Sequence, residues 1–485
     1  MLRKLTTSNI LLIILILGFF VRLYRFDNPI ADWHSWRQAE TSMVSRNFVK
    51  DGFDLLHPHM DNISNVQSGP AHLDNPHGYF FVEFPLYNAA QAGLFKLFGI
   101  LTIEEWGRVV SIISSTVAAI FLFLIVSRHS NKTIGLIAAA FYVFMPFNIY
   151  YSRTILPDTS MTMATLGAIY FFDLWLNTNE KLPVKKYLLY FVTIIFTAVA
   201  FLLKPVALFF VLPMIYLAWK KFGWRLILNW QLWLFTVVSV SPLIWWRVWM
   251  TQFPGGRPAN EWLFNGNGIR FRPSFFRWIF YERLTKLVLG YMGIGLFLFG
   301  LIRIRKIQEW MFFVSFLISS MLYVSVIATG NVQHDYYQIP SMPGIAIFCA
   351  VGSYYLYQWT VKKFPVGKVL VTILIIGGFY FSLLQVRDYF NINNRSILVA
   401  GEAVDRLTPK DAKVIANLEG DSSFLYQTKR KGWASFEKSI PEMVQMGADY
   451  LVLANPTPAD QKFARDYKIV KQTSDFILFD LHKKP

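Results

Sequence analysis

The chain has 485 residues, of which 54% are hydrophobic, 17% aromatic and only 16% charged, with a formal net charge of +17 and a mean hydropathy of +0.38. Soluble domains carry roughly 25% charged residues, so this balance excludes an ordinary soluble protein and indicates a polytopic membrane protein. The single cysteine, Cys349, excludes an internal disulfide, and positive charge spread over short loops reports membrane orientation rather than nucleic-acid binding.

In chain order, "MLRKLTTSN" precedes an apolar run, but "RLYRFDNP" follows it where a secretory signal would need small residues. Residues 10–26 are therefore predicted as an uncleaved first span. Apolar runs then predict about eleven spans: 10–26, 107–127, 133–151, 159–176, 187–203, 206–219, 226–249, 286–302, 309–328, 341–358 and 367–386. Alternate connections read "MLRK", "RHSNK", "NEKLPVKK", "KKFGWR", "RIRK" and "VKKFPVGK". All are short and basic, which assigns them to the cytoplasm. Parity places the 27–106 and 250–285 loops and the carboxy-terminal tail outside. The protein is thus expected in the cell (inner) membrane, with a cytoplasmic amino terminus. From about residue 387, "AKVIANL", "DYLVLAN" and "DFILFDL" alternate with helical stretches such as "SIPEMVQMGA". The fold class expected is all-α and polytopic over residues 1–386, followed by a small extracytoplasmic α/β domain over 387–485.

Charged residues near membrane depth are costly and usually mark function. Here they gather on the predicted outer face. "DWHSWRQAET" brings Asp32, His34, Arg37, Gln38 and Glu40 after the first span, and "YFFVEFPLYNAAQAGLFKLFG" carries Glu83 and Lys96. Asp158 closes "YYSRTILPD", Lys204 lies in "FLLKPVALFF", and "HDYYQIPSMP" supplies His334, Asp335, Tyr336 and Tyr337. Each has a plainer structural reading. Asp32 would serve as a helix cap, and Lys204, Arg22 and Arg25 would snorkel to the interface. The Glu83–Lys96 stretch would form an amphipathic helix on the membrane, and the tyrosines would belong to an aromatic belt. Together, the outer-face groups indicate an active site at the water–lipid boundary.

The ordered set "DWHSWRQAETSMVSRNF", "EFPLYNAAQAGLFKLFG", "GRVVSIISS", "YYSRTILPD", "LLKP" and "HDYYQIP" resembles the GT-C membrane glycosyltransferases of the protein mannosyltransferase type. Their bacterial relatives include the aminoarabinose transferase that modifies lipid A. The resemblance runs over about residues 1–390, and "KRKGW" at 429–433 extends it into the tail. It implies a sugar donor on a polyprenyl phosphate, used at the outer membrane face with inversion. It matches the family's aspartates to Asp32 and Asp158. The mannosyltransferases carry an Asp-Glu pair in the first loop where this chain has Asp32-Trp33, which leaves Glu40 or Glu83 as a second carboxylate. The aminoarabinose branch has a lysine beside its proline–leucine motif, where "EFPLY" offers Glu83.

The site expected has Asp32, Asp158 and Glu83 as catalytic groups, with Asp32 as the base that activates an acceptor hydroxyl. Lys204, His334 and arginines of "GIRFRPSFFRWIFYER", Arg270 and Arg272 among them, would bind substrate by offsetting charge on the departing phosphate. His34, Arg37, Gln38, Asp335, Tyr336 and Tyr337 complete the substrate-binding set. Clustered carboxylates suit a divalent cation, although no tight ligand spacing appears, so no cofactor is assigned. The transferred unit is a hexosyl or pentosyl group, the acceptor a glycan, lipid or protein, and the other partners are membrane lipids. A lipid-linked-sugar flippase is the alternative; it would be expected to show symmetric halves and charges at midplane.

Overall fold

The computed structural model describes residues 6–64, 73–179 and 181–485. The basic pair in "MLRK" and Glu180 of "NEKLPVKK" lie outside them. Two compact units emerge. One comprises residues 1–26, 108–246 and 260–388, and the other comprises 27–107, 247–259 and 389–485.

The first unit is helical. Among the described residues six helical segments are long and apolar enough to cross a membrane: Ile103–His129, Pro183–Leu203, Pro205–Leu228, Trp230–Gln252, Asp335–Tyr357 and Val366–Phe390. A bent pair, Pro273–Val288 with Gly293–Lys306, raises the number to seven if it is one span. Each of the eleven expected segments overlaps a helix, but not all are full spans. Thr7–Val21, Lys132–Phe144 and Trp310–Val326 are shorter, and Asp158–Asn177 carries two aspartates and several threonines. The expected 133–151 segment is broken at Met145, after which Pro146 starts a new turn. Asn148 Nδ2 donates to the Tyr142 carbonyl at 2.5 Å, satisfying an acceptor that the break frees.

Close packing comes from glycine. A Cβ on Gly352 would stand 1.9 Å from the Leu296 carbonyl, and one on Gly300 would stand 1.9 Å from that of Phe348. These facing positions let the Gly293–Arg303 and Met342–Tyr357 helices meet backbone to backbone, as small residues do in membranes. The 114° bend between Val288 and Gly293 passes through positive φ at Gly290 and Tyr291. Ser382 Oγ donates to the Leu287 carbonyl exposed there at 2.8 Å. Arg22 is buried rather than at the interface. Its guanidinium donates to the Gly18 and Val143 carbonyls at 2.7 and 3.0 Å and to Ser152 Oγ at 2.5 Å.

The second unit joins the first loop to the tail. The tail forms a five-stranded sheet ordered β2-β1-β3-β5-β4, from β1 (Val414–Ala416), β2 (Gly432–Trp433), β3 (Tyr450–Ala454), β4 (Lys468–Gln472) and β5 (Phe476–Asp480). β1 is parallel to β2 and β3, whereas β5 is antiparallel to β3 and β4. "AKVIANL", "DYLVLAN" and "DFILFDL" supply β1, β3 and β5. The loop adds a bridge at the β2 edge: Ile63 N–H donates to the Gly432 carbonyl at 2.8 Å, and Gly432 N–H donates to that of Asp61 at 3.0 Å. Ile63 thereby enters the core with Trp433, Met443, Leu451, Ile477 and Phe479. Arg46 clamps the same contact, ion-paired to Asp61 and lying 4.2 Å from the Tyr426 ring centroid.

The glycine contact predicts that Gly352→Ala lowers the thermal midpoint of the purified protein, at a cost of roughly 2 kcal/mol or more for overpacking. Gly93→Ala, inside the Leu86–Phe98 helix with nothing within 4 Å, is the control and leaves the midpoint unchanged or slightly higher, since alanine is the better helix former.

Candidate functional site

In the helical unit, Pro157 closes an irregular turn and Asp158 opens the Asp158–Asn177 helix, where the dipole favours a carboxylate. Lys204 follows the Pro183–Leu203 helix. Pro205 after it excludes helical backbone, and Lys204 is extended at φ −157°, ψ 125°. That conformation turns its ammonium inward to Asp158 Oδ1 at 2.9 Å. Both residues are buried, at 8% and 1% exposure. The Lys204 Nζ also lies 5.3 and 5.4 Å from the ring centroids of Tyr336 and Tyr337, within cation–π range.

The Asp335–Ser341 turn supplies these rings. Asp335 accepts from the Tyr151 hydroxyl and lies 4.0 Å from an Arg283 guanidinium nitrogen. His334 stacks on Tyr336 and Tyr337 at 5.6 and 5.9 Å and meets Trp262 edge-on. Asp158, Lys204, His334, Tyr336 and Tyr337 are therefore linked through direct contacts, and Asp335, next to them in the chain, is held by Tyr151 and Arg283. Arg270 and Arg272 are not among those contacts. Arg270 donates to the Phe264 and Val326 carbonyls at 3.2 and 3.0 Å, and Arg272 is exposed. Arg283, in the same quoted loop, is the arginine that reaches Asp335. It sits in the π-helical stretch Arg277–Val288, whose wider turn shifts side chains away from the 3.6-residue register a sequence reading assumes.

In the other unit, Asp32 is 3% exposed and accepts from Gln38 Nε2 at 2.8 Å. His34 holds the left-handed conformation that starts the Ser35–Asp51 helix, and its ring meets Trp33 edge-on at 5.2 Å. Arg37 is buried between two carboxylates, at 2.6 Å from Glu83 and 3.4 Å from Glu40, and over the Phe80 ring at 5.3 Å. One guanidinium thus holds both candidates for a second carboxylate. Burial raises the Glu40 pKa to about 7; Asp421 and Glu83 add to the rise, and Arg37 opposes it. Among the described residues no group of three or more His, Cys, Asp or Glu is arranged to hold a metal ion.

Residues 76–246 match the family of dolichyl-phosphate-mannose-protein mannosyltransferases, less than half of the chain. No curated protein sequence matches. Among solved structures, ArnT from Cupriavidus metallidurans bound to undecaprenyl phosphate is similar with a TM-score of 0.67 and 12% identity, over 96% of this chain and 97% of that one. Archaeal oligosaccharyltransferase AglB from Archaeoglobus fulgidus, in complex with an inhibitory peptide and a dolichol-phosphate, is similar with a TM-score of 0.56 and 10% identity, over 96% and 74%. The arabinofuranosyltransferase AftD from Mycobacteria gives 0.58 and 12%, over 99% of this chain and 42% of that one.

Glu40 predicts a pH dependence of stability. Its folded pKa near 7 stands above the ordinary 4.5, so between those values the folded state holds a proton that the unfolded chain has released. Stability contributed by this group is full below about 4.5 and falls as pH rises to about 7. Glu40→Gln removes that slope, measured as the thermal midpoint between pH 5 and 8; an unchanged slope would place the titrating group elsewhere.

The comparisons thus show that this chain has the fold of these membrane glycosyltransferases.

Proposed function

We propose that this protein transfers a hexosyl or pentosyl unit from a polyprenyl-phosphate carrier to a hydroxyl of a glycan, lipid or protein acceptor, with inversion, at the outer face of the cytoplasmic membrane. The observation that carries the reading is the buried Lys204, held by Asp158 and walled by Tyr336 and Tyr337. A buried ammonium between a carboxylate and two aromatic faces is a poised cation. It can follow charge that develops on a phosphate where little water competes. That this fold is seen with undecaprenyl phosphate in ArnT and with a dolichol-phosphate in AglB supports the donor class.

In the proposed reaction the acceptor oxygen forms a bond to the anomeric carbon while the carbon–oxygen bond to phosphate breaks. The phosphate leaves with the bonding pair, and the acceptor proton passes to a carboxylate. Asp32 is assigned that role as the buried carboxylate that follows the first span and that the resemblance matches to the family's first-loop aspartate. Gln38, donating to Asp32 at 2.8 Å, keeps the carboxylate oriented. Lys204, with Arg283 beside Asp335, supplies the charge on the leaving-group side, and a divalent cation is the competing source of that charge. A chelator separates the two: turnover unchanged in its presence supports the side chains.

Eleven spans with the amino terminus inside and the 387–485 domain outside belong to the same reading. The Asp158–Asn177 helix supports the orientation. Its first residue is in the Lys204 cluster, and near its other end Asp173 pairs with Arg128 and His129 of the basic "RHSNK" connection.

Purified protein given polyprenyl-phosphate sugars and a membrane extract as acceptor source is expected to consume donor. Asp32→Asn keeps size and hydrogen bonding but removes the base, and lowers turnover by at least about a hundredfold with expression near normal. Donor carried across vesicles without being consumed would replace the transferase with a flippase. Near wild-type turnover in a folded Asp32→Asn would move the base elsewhere.

A further inference from the structure

The unit formed by the first loop and the tail holds a cavity of about 800 Å³. Its place follows from the sheet. β1 and β3 are parallel neighbours, but the chain leaves β1 toward β2 on one side and leaves β3 toward β4 and β5 on the other. In open α/β sheets the connections diverge at such a point and leave a crevice beyond the carboxyl ends of the strands, where ligands bind. Asn417 and Glu419 follow β1, Asn455 follows β3, and all three line the cavity. The first loop closes it with Trp33 and His34.

The walls are set before any ligand arrives. Trp33 stacks on Tyr389 at 4.9 Å with 14° between the rings, and its backbone N–H donates to the Tyr389 carbonyl. Gln427 Nε2 donates to the Ile30 carbonyl at 2.9 Å. Asn455 is braced by Ser396 and Asn394. Trp33 remains 39% exposed.

The lining selects a ligand class. It carries Asp32, Glu419, Asp421 and Asp460 and, among the described residues, no lysine or arginine, so it repels phosphate and other anions. Asparagine amides offer donors and acceptors together, carboxylates accept from hydroxyls, and an indole offers an apolar face. Burial holds the Asp421 carboxyl above its ordinary range. The volume lies in the range of small-molecule sites.

We infer that this cavity binds a neutral or amino-bearing oligosaccharide portion of the acceptor, with Trp33 under a sugar ring and Asn417, Glu419 and Asn455 reading its hydroxyls. The inference rests on the proposed glycosyl transfer for its biological meaning, and it narrows the acceptor to a glycan-bearing molecule.

The test is saturation-transfer NMR on the full-length protein in detergent, with two probe sets. One contains neutral and amino-bearing tri- to pentasaccharides, and the other contains the same chain lengths bearing phosphate or uronic acid. Members of the first set are expected to bind and those of the second to bind weakly or not at all. Trp33→Ala should weaken binding roughly tenfold, as loss of an aromatic anchor does. Asn417→Ala, away from the Trp33–Tyr389 stack, should weaken it in the same direction without a change in thermal midpoint. Silence from every probe, preference for the anionic set, or wild-type affinity in both variants would overturn the inference. Binding as expected in a protein that consumes no donor would instead overturn the transferase reading and leave the saccharide site standing.

Discussion

A lysine ammonium buried in an apolar helical unit has to be compensated, and the Lys204–Asp158 pair is the constraint around which the proposed chemistry is arranged. Pro205 forces Lys204 out of the helix, the start of the Asp158–Asn177 helix stabilises the carboxylate, and the Asp335–Ser341 turn brings two tyrosine faces to the ammonium. Removing one partner of such a pair leaves an uncompensated charge, which is strongly destabilising. A phosphate arriving nearby can share the ammonium without that penalty, because one anion takes over from another. Arg37 is buried in a similar way, paired with both Glu83 and Glu40.

The second unit shows how a loop becomes part of a domain. Residues 61–63 extend the sheet at Gly432, whose own approach to β1 needs glycine, because a Cβ there would stand 1.8 Å from the Val414 carbonyl. Arg46 then ties Asp61 and Tyr426 together. This junction supports the Asp32–Trp33–His34 segment on rigid structure, which a base or a binding face requires.

Much of this was legible in the sequence. Composition declared the membrane, short apolar runs between helical stretches declared β1, β3 and β5, and the charges expected on the outer face named Asp158 and Lys204 before the fold paired them. What stayed hidden has physical causes. β2 is two residues long, too short to show alternation, and "DNI" at 61–63 carries no strand signal because its pairing is supplied by distant backbone. Nothing in "GIRFRPSFFRWIFYER" separates Arg283 from Arg270 and Arg272, because the π-helical stretch Arg277–Val288 decides which arginine meets Asp335. Arg22 was expected at the interface, yet the carbonyls and hydroxyls that bury it come from three separate segments. The cavity at the switch point depends on strand order, which no local pattern encodes.

The central claim is that Lys204 is held ready for a phosphate rather than kept only to neutralise Asp158. The most direct measurement is the affinity of folded protein for a polyprenyl phosphate in wild type, Lys204→Gln and Asp158→Asn, read by native mass spectrometry. Lys204→Gln is expected to weaken binding by at least about tenfold, the loss of one charge-assisted contact, whereas Asp158→Asn binds as tightly as wild type or more so, because the ammonium no longer has a competitor. Unchanged affinity in Lys204→Gln, or equal losses in both variants, would contradict it and reduce the pair to a structural ion pair.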